Sequence, residues 1–427
     1  MADLVVLASA PITTAVERHM KRRRMSRNIA VIGTLDTKGD EIKFIKEDIE
    51  KRGHKAIVID VGIVGKPSFK PDISNQEVAQ AAGTSIEALI VLHSEAKAMD
   101  KVAEGVSKIM QEYYSNDRMD GALALGGTMG TSLALTVMDA MPIGFPKLIL
   151  STVAFSPLIP HTAIKTDLMM MEWVAGLKGI NSINRQVLKT AAGAIAGAAE
   201  GYEKSVKGHK TVVGVTSHGT VPSKFLSWLL PALEERGYEV AVFHAVGGGK
   251  AFERAIDEGL IDAVLDLTLS EISNEVAGGM ASAGESRLEA AGRKGIPQIV
   301  APTVSAIQWA TSKPLPPRFK DRFFREHNWL VSVLPTNKEE KVAAGEFIAE
   351  KLNKATGPTA VVIPTAAAKL HGGAMYDADG EKALREVLKA KLRPRIKVVE
   401  VDSELNDPKF TEKVLDLLEE LMVERPV

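Results

Sequence analysis

Two glycine-rich stretches carry the residue types needed to hold an anion. Gly33-Thr34-Leu35-Asp36-Thr37-Lys38-Gly39 and Gly126-Gly127-Thr128-Met129-Gly130-Thr131-Ser132 each follow a short apolar run and precede a helical pattern. Glycine lets main-chain N–H groups approach a ligand closely, and a helix start adds unpaired N–H groups and the positive end of the dipole. Thr128, Thr131 and Ser132 offer hydroxyl donors, and Lys38 offers charge. Exposed helix ends contribute only ~0.3–1 kcal/mol, so several charge-assisted hydrogen bonds must do the holding, which suits a di- or triphosphate. The plain alternatives are a tight turn whose glycines relieve packing at Gly126–Thr131, and capping with surface exposure at Thr34–Lys38. Neither stretch is a Walker A loop, because no Gly-Lys-Ser/Thr closes it, and the G-x-G-x-x-G dinucleotide fingerprint is missing. Asp60 reads equally as a partner for a ribose hydroxyl and as a solvated strand end.

A second set of polar residues lies further along the chain. Ser217-His218-Gly219-Thr220 ends one apolar run, His244 precedes Gly247-Gly248-Gly249-Lys250, and Thr268, Ser270 and Glu271 follow another. Adjacent Ser217 and His218 do not form a triad, and no G-x-S-x-G elbow surrounds them. His244 and Glu271 are the candidates for a general acid–base, with a strand-end histidine as the alternative for His244. His327 and His371 read as structural. No local metal-ligand spacing occurs, although Asp36, Asp167 or Glu271 suits a Mg²⁺ carried in by phosphate.

The elements that must position these residues alternate. Asn28–Thr34, Ala56–Asp60, Gly121–Leu125 and Lys147–Thr152 read as strands, with a helix over 40–52 and a helical region from the Ser74/Glu77 capping box to about Tyr114. Strands alternating with helices imply parallel βαβ units, whose ligands sit beyond the carboxyl ends of the strands. The second half repeats the theme. Lys51-Arg52-Gly53-His54 parallels Glu235-Arg236-Gly237-Tyr238, and Met119-Asp120 parallels Ile261-Asp262. Pro146-Lys147-Leu148-Ile149 likewise parallels Pro297-Gln298-Ile299-Val300, and the strand end Gly33-Thr34 is matched with Gly214-Val215-Thr216. A diverged duplication explains this, with chance similarity among α/β units as the alternative. The expected fold is α/β, with two Rossmann-like lobes, mainly parallel sheets and a cleft between them. The expected boundaries are an extension at 1–27, for which disorder is one reading, a nucleotide-binding lobe at 28–205 and a second lobe at 206–427. Further strands are expected at Trp329–Leu334, Thr359–Pro364 and Ile396–Val401.

Composition narrows the classes. The 427 residues carry 53 Lys+Arg against 54 Asp+Glu, so no global cationic field exists to hold nucleic acid. With no cysteine, disulfides and thiolate chemistry are excluded, and a reducing cytoplasm is the expected setting. The charge-free stretch from Gly121 to Met138 is interrupted by Gly126, Gly127 and Gly130 and is not expected to enter a membrane. Leu4–Val16 precedes Lys21-Arg22-Arg23-Arg24, the wrong order for a secretory signal.

At these residues the chain resembles the ATP-binding domain family of the tomato mosaic virus resistance protein and its microbial relatives. The matching stretches include Gly33–Gly39, Asp60-Val61-Gly62, Leu125-Gly126-Gly127, Ser151-Thr152-Val153-Ala154, Thr166-Asp167, Val242-Phe243-His244-Ala245 and Arg287-Leu288-Glu289. The resemblance implies a two-lobed α/β protein, usually a homodimer, with ATP met by Asp36, Thr37, Lys38 and the loop Gly126, Gly127, Thr128, Met129, Gly130 and Thr131. The loop departs from the family's usual G-G-S-G-G-T at Thr128 and Met129, and Ser217-His218 stands where relatives carry Met-Phe. Two functions follow as expectations. One is an enzyme using ATP, with Mg²⁺, on a small second substrate in the interlobe cleft. The other is a non-catalytic ATP-binding module that recognises another protein. An NAD(P)-dependent oxidoreductase ranks below both.

Overall fold

The computed structural model describes residues 26–204, 208, 210–219, 223–366 and 376–424. The N-terminal basic run, Thr220 and His371 lie outside them. The chain divides into two compact units, Met1–Ser205 and Val206–Val427.

In the first unit, strands β1 (Asn28–Gly33), β2 (Lys55–Asp60), β3 (Gly121–Gly126), β4 (Lys147–Ser151) and β5 (Met169–Glu172) form one parallel sheet in the order β2-β1-β3-β4-β5. Buried runs without polar alternation suit a sheet covered on both faces. Ala30, Ile32, Ala122 and Ala124 pack toward one cluster, and Ile29, Val31, Leu123 and Leu125 toward the other. Helix α1 (Gly39–Lys51) lies on the second face through Ile42, Ile45 and Ile49. The helical region expected from Ser74 to Tyr114 is three helices, α2 (Asn75–Ala81), α3 (Ile86–Val91) and α4 (Glu95–Ser115). Ser74, Ser85 and Ser94 cap them in turn, and left-handed residues Gly83 and His93 break the chain between them. Helix α5 (Thr128–Asp139) follows β3, and α6 (Ser182–Gly201) follows β5, a short edge strand the sequence did not announce.

The second unit is built on β6 (Val212–Ser217), β7 (Glu239–His244), β8 (Ala263–Asp266) and β9 (Gln298–Val300). Helices α7 (Leu226–Glu235), α8 (Gly249–Asp257), α9 (Ser270–Ala277) and α10 (Ala290–Lys294) alternate with them. Between β9 and the later strands, β10 (Ala306–Ala310), β11 (Arg325–Glu326) and β12 (Val331–Pro335) make a small antiparallel sheet. Helix α11 (Lys338–Asn353), strand β13 (Thr359–Pro364), helix α12 (Ala378–Lys391), strand β14 (Lys397–Val401) and helix α13 (Pro408–Val423) complete the unit. Its main sheet is parallel, ordered β14-β13-β9-β8-β6-β7.

Read from the β7 edge, that order repeats the first unit's with one strand added. The same numerical offset relates Asn28, Gly33, Gly53 and Asp60 to Val212, Ser217, Gly237 and His244. Gly33 therefore corresponds to Ser217, not to the Gly214-Val215-Thr216 match expected from the sequence, because β6 runs to Ser217 before its chain turns. Equivalent hydrogen bonds recur. Asp120 takes the Asn28 N–H at 2.8 Å and gives its own N–H to the Asn28 carbonyl, and Asp262 does the same with Val212, at 3.0 Å for the carboxylate. Gly53 and Gly237 both end a helix with positive φ. Replacing Asp120 or Asp262 by alanine leaves a strand N–H without its acceptor. Each change should cost about 1–3 kcal/mol in urea unfolding; an unchanged midpoint would mean that water replaces the clamp.

Candidate functional site

In the first sheet the order reverses at β1, which pairs with both β2 and β3. This is a topological switch point, where open α/β sheets bind ligands. The two glycine-rich turns leave β1 and β3 side by side, and a Cβ on Gly33 would stand 3.4 Å from the Leu125 carbonyl oxygen.

The first turn is held from beneath. Asp60, 1% exposed, accepts the Leu35 N–H at 3.0 Å and the Gly62 N–H at 2.9 Å through one carboxylate oxygen. Burial pushes its pKa up, the two N–H groups pull it back, and neighbouring Asp36 adds to the rise. Asp60 thus supports the loop from a buried position. Asp36 takes the Gly65 N–H at 3.0 Å on Oδ2, while its buried Oδ1 has no partner. Thr37 Oγ1 lies 2.5 Å from Thr34 Oγ1. Lys38 turns toward the segment after β5: its Nζ donates to the Gly176 carbonyl at 2.9 Å and to that of Leu177. It also sits 4.8 Å over the Trp173 ring and 3.9 Å from Glu41. Burial lowers the Lys38 pKa, with Glu41 working in the opposite direction.

The second turn is the more open. Gly127 caps α5 without a side-chain hydrogen bond, and Thr128 and Met129 are exposed. Thr131 turns inward, 2% exposed, with its hydroxyl 2.6 Å from that of Ser151, so it braces the turn. Gly126 is needed for packing, because a Cβ there would stand 2.7 Å from the Gly130 Cα. Gly127 and Gly130 are not. A Cβ would meet only Thr152 Oγ1 at 3.7 Å or the Leu125 carbonyl oxygen at 3.5 Å, and neither residue has positive φ.

The second unit arranges the same edge differently. Its Gly247–Gly249 turn already holds an anion, the chain's own Glu271, whose Oε1 accepts the Gly247 and Gly249 N–H groups at 2.9 and 2.8 Å. Glu271 Oε2 bonds Arg287 at 3.0 Å, and the residue is 1% exposed. It is therefore a structural ion and not the general base its sequence position suggested. Arg287 is fully buried and also meets Asp266 through both Nη atoms, at 2.5 and 2.8 Å, and Glu253 at 3.0 Å. Burial works against the cation, and the three carboxylates more than offset it. Burial likewise raises the Glu253 pKa against Arg287 and the Ala290 and Leu288 N–H groups. The partners lie 16, 21 and 34 residues from Arg287, so no local spacing announces the cluster. His244 is exposed, with Nε2 3.3 Å from the His218 carbonyl oxygen. Asp167 is engaged with buried Lys147 at 2.8 Å and the Gly144 N–H at 3.0 Å. Among the described residues no group of three or more His, Cys, Asp or Glu could hold a metal, and no helix is long and apolar enough to cross a membrane.

Two doubly wound units with ligand-type turns at their switch points define a two-domain α/β protein. The chain belongs to the uncharacterised protein family UPF0261: the N-terminal domain matches residues 27–204 and the C-terminal domain residues 210–422. A UPF0261 protein of Clostridium tetani is 39% identical, covering 92% of this chain and 100% of its own. The ToMV resistance protein Tm-1(GCR237) of Solanum lycopersicum is 31% identical, covering 92% of this chain and 55% of its own. A solved putative UDP-N-acetylglucosamine 2-epimerase from Listeria monocytogenes covers 94% of this chain and 98% of its own at 11% identity. Its TM-score of 0.23 carries no argument.

Removing the Arg287 charge leaves three buried carboxylates unmatched, so Arg287→Met should destabilise by ~3–5 kcal/mol in chemical unfolding. A loss below ~1 kcal/mol would mean that the carboxylates simply protonate. Asp60 gives a signed pH effect. Folding raises its pKa above the ordinary 3.8, so the stability it gives is fully present below 3.8 and is lost as pH rises through the folded value. Asp60→Asn keeps an oxygen for both N–H groups and removes that loss. The variant should gain on wild type as pH rises above the ordinary 3.8 in unfolding titrations; a flat difference would refute the assignment.

Proposed function

We propose that this protein binds an adenine nucleotide in its first unit, with the phosphates against Gly126–Gly130 and the start of α5, and serves as a binding module. The observation that supports this most is Gly127. It stands at a helix N-terminus without a side-chain cap and with negative φ, where a Cβ would make one ordinary contact, 3.7 Å from Thr152 Oγ1. The adenine comes from the resemblance of the two turns to the ATP-binding family. Asp36 fits a Mg²⁺ brought in by the phosphates, since its Oδ1 is buried without a partner and Mg²⁺ commonly takes one or two carboxylates beside phosphate.

Binding is favoured over chemistry because Glu271, the carboxylate candidate for a base, is already committed. It is bonded to Arg287 and to two main-chain N–H groups, while exposed His244 has Nε2 3.3 Å from the His218 carbonyl oxygen. Recognition of a protein partner is supported by Phe155, Leu158, Val174, Leu177 and Ile183, exposed apolar residues in the segments after β4 and β5.

Titration calorimetry with ATP, ADP, NAD⁺ and NADP⁺ tests the reading. ATP or ADP should bind, and Gly127→Val should weaken that binding at least tenfold while costing unfolding no more than the ~0.5–2 kcal/mol of a poorer helix cap. Binding of NAD⁺ or NADP⁺ alone, or unchanged ATP affinity in the variant, would remove it.

A further inference from the structure

The switch point of the second unit leaves polar atoms unsatisfied. Thr268, just beyond β8, is fully buried, and its Oγ1 has no hydrogen-bond partner. His218 follows β6 directly, and its buried Nε2 also lacks one. The parallel register pairs Val213 with Ala263 and Val215 with Leu265, so His218 and Thr268 follow the carboxyl ends of two neighbouring strands. Thr216 ties the two strand ends together: its hydroxyl donates to Asp266 at 2.7 Å and accepts the Thr268 N–H at 3.2 Å. A buried polar atom without a partner costs free energy that a ligand can recover.

The surrounding charge decides what kind of ligand. The Gly247 and Gly249 N–H groups are already filled by Glu271, and Arg287 is bonded to three carboxylates. No anion-holding groups therefore remain among them, and the local balance is negative. Burial, with His244 nearby, holds the His218 pKa down at about 4, so its ring is neutral at pH 7. An alcohol both gives and takes a hydrogen bond, which matches one ring nitrogen and one hydroxyl.

We propose that the carboxyl ends of β6 and β8 form a second binding site, on His218 and Thr268, for an uncharged, hydroxyl-bearing small molecule of the sugar or polyol class. The site is independent of the nucleotide reading in the first unit. Calorimetry on the full chain with D-ribose and D-glucose tests it, with ribose 5-phosphate as the charged counterpart. One of the neutral sugars should bind saturably. Its affinity should fall at least tenfold in Thr268→Val, which keeps the shape and removes the hydroxyl, and be retained in Thr268→Ser. His218→Gln should weaken it as well, and decides the matter where Thr268→Val does not fold. Absence of binding by both sugars, or equal affinity in Thr268→Val and His218→Gln, overturns the site. Tighter binding of ribose 5-phosphate that depends on Thr268 overturns the ligand class. A higher melting temperature for Thr268→Val with no sugar bound to wild type assigns the hydroxyl to packing and also overturns it.

Discussion

Buried and half-buried carboxylates that accept main-chain N–H groups hold most of the turns on which this protein's candidate sites depend. Asp60 fixes the turn after β1, Asp120 and Asp262 clamp the first strand of each unit, and Glu271 and Glu253 shape the second unit's loops. A charged acceptor makes a stronger hydrogen bond than a neutral one, and in a low-dielectric interior its geometry is costly to change. Where such a carboxylate reaches a glycine turn, the turn is filled from within. Where none does, as at Gly127, the helix start has no side-chain cap. The two units share a strand order yet present opposite chemistry at the same edge for this reason.

Much of the framework is legible in the sequence because parallel strands buried on both faces must be short, apolar and spaced by helices. Each sequence match between the halves falls on equivalent strands or helix ends, and that of Gly33 with Gly214 alone is out of register. That match followed a glycine, whereas the true equivalence follows backbone register, which a residue type does not encode. The helix from Ser74 broke into three because Gly83 and His93 adopt left-handed conformations, invisible in an amphipathic pattern. Strand β5 escaped notice because Met169–Glu172 is half exposed at a sheet edge and lacks β-branched residues.

The candidate site was legible as position but less so as role. The turns at Thr34–Lys38 and Gly126–Thr131 lie together, as their placement after two strands required. Which side chains face outward was not readable: Asp60 and Thr131 turn inward because unpaired strand-end polar groups need partners, and residue type alone does not give direction. Arg287 was read only as part of a family motif. A lone arginine becomes conspicuous only when three distant carboxylates converge on it.

Lys38 brings a kinetic and energetic consequence. Its ammonium is already solvated by protein, through two carbonyl oxygens, an indole face and Glu41. Any phosphate that recruits it must first strip this shell, so the measured affinity is the intrinsic one scaled by the fraction of molecules in which the lysine is free. The segment from Gly176 to Leu177 loses its tether in the same event. Lys38 thus links the turn after β1 to the segment that follows β5, the strand at the sheet's far edge, by the reach of a single side chain.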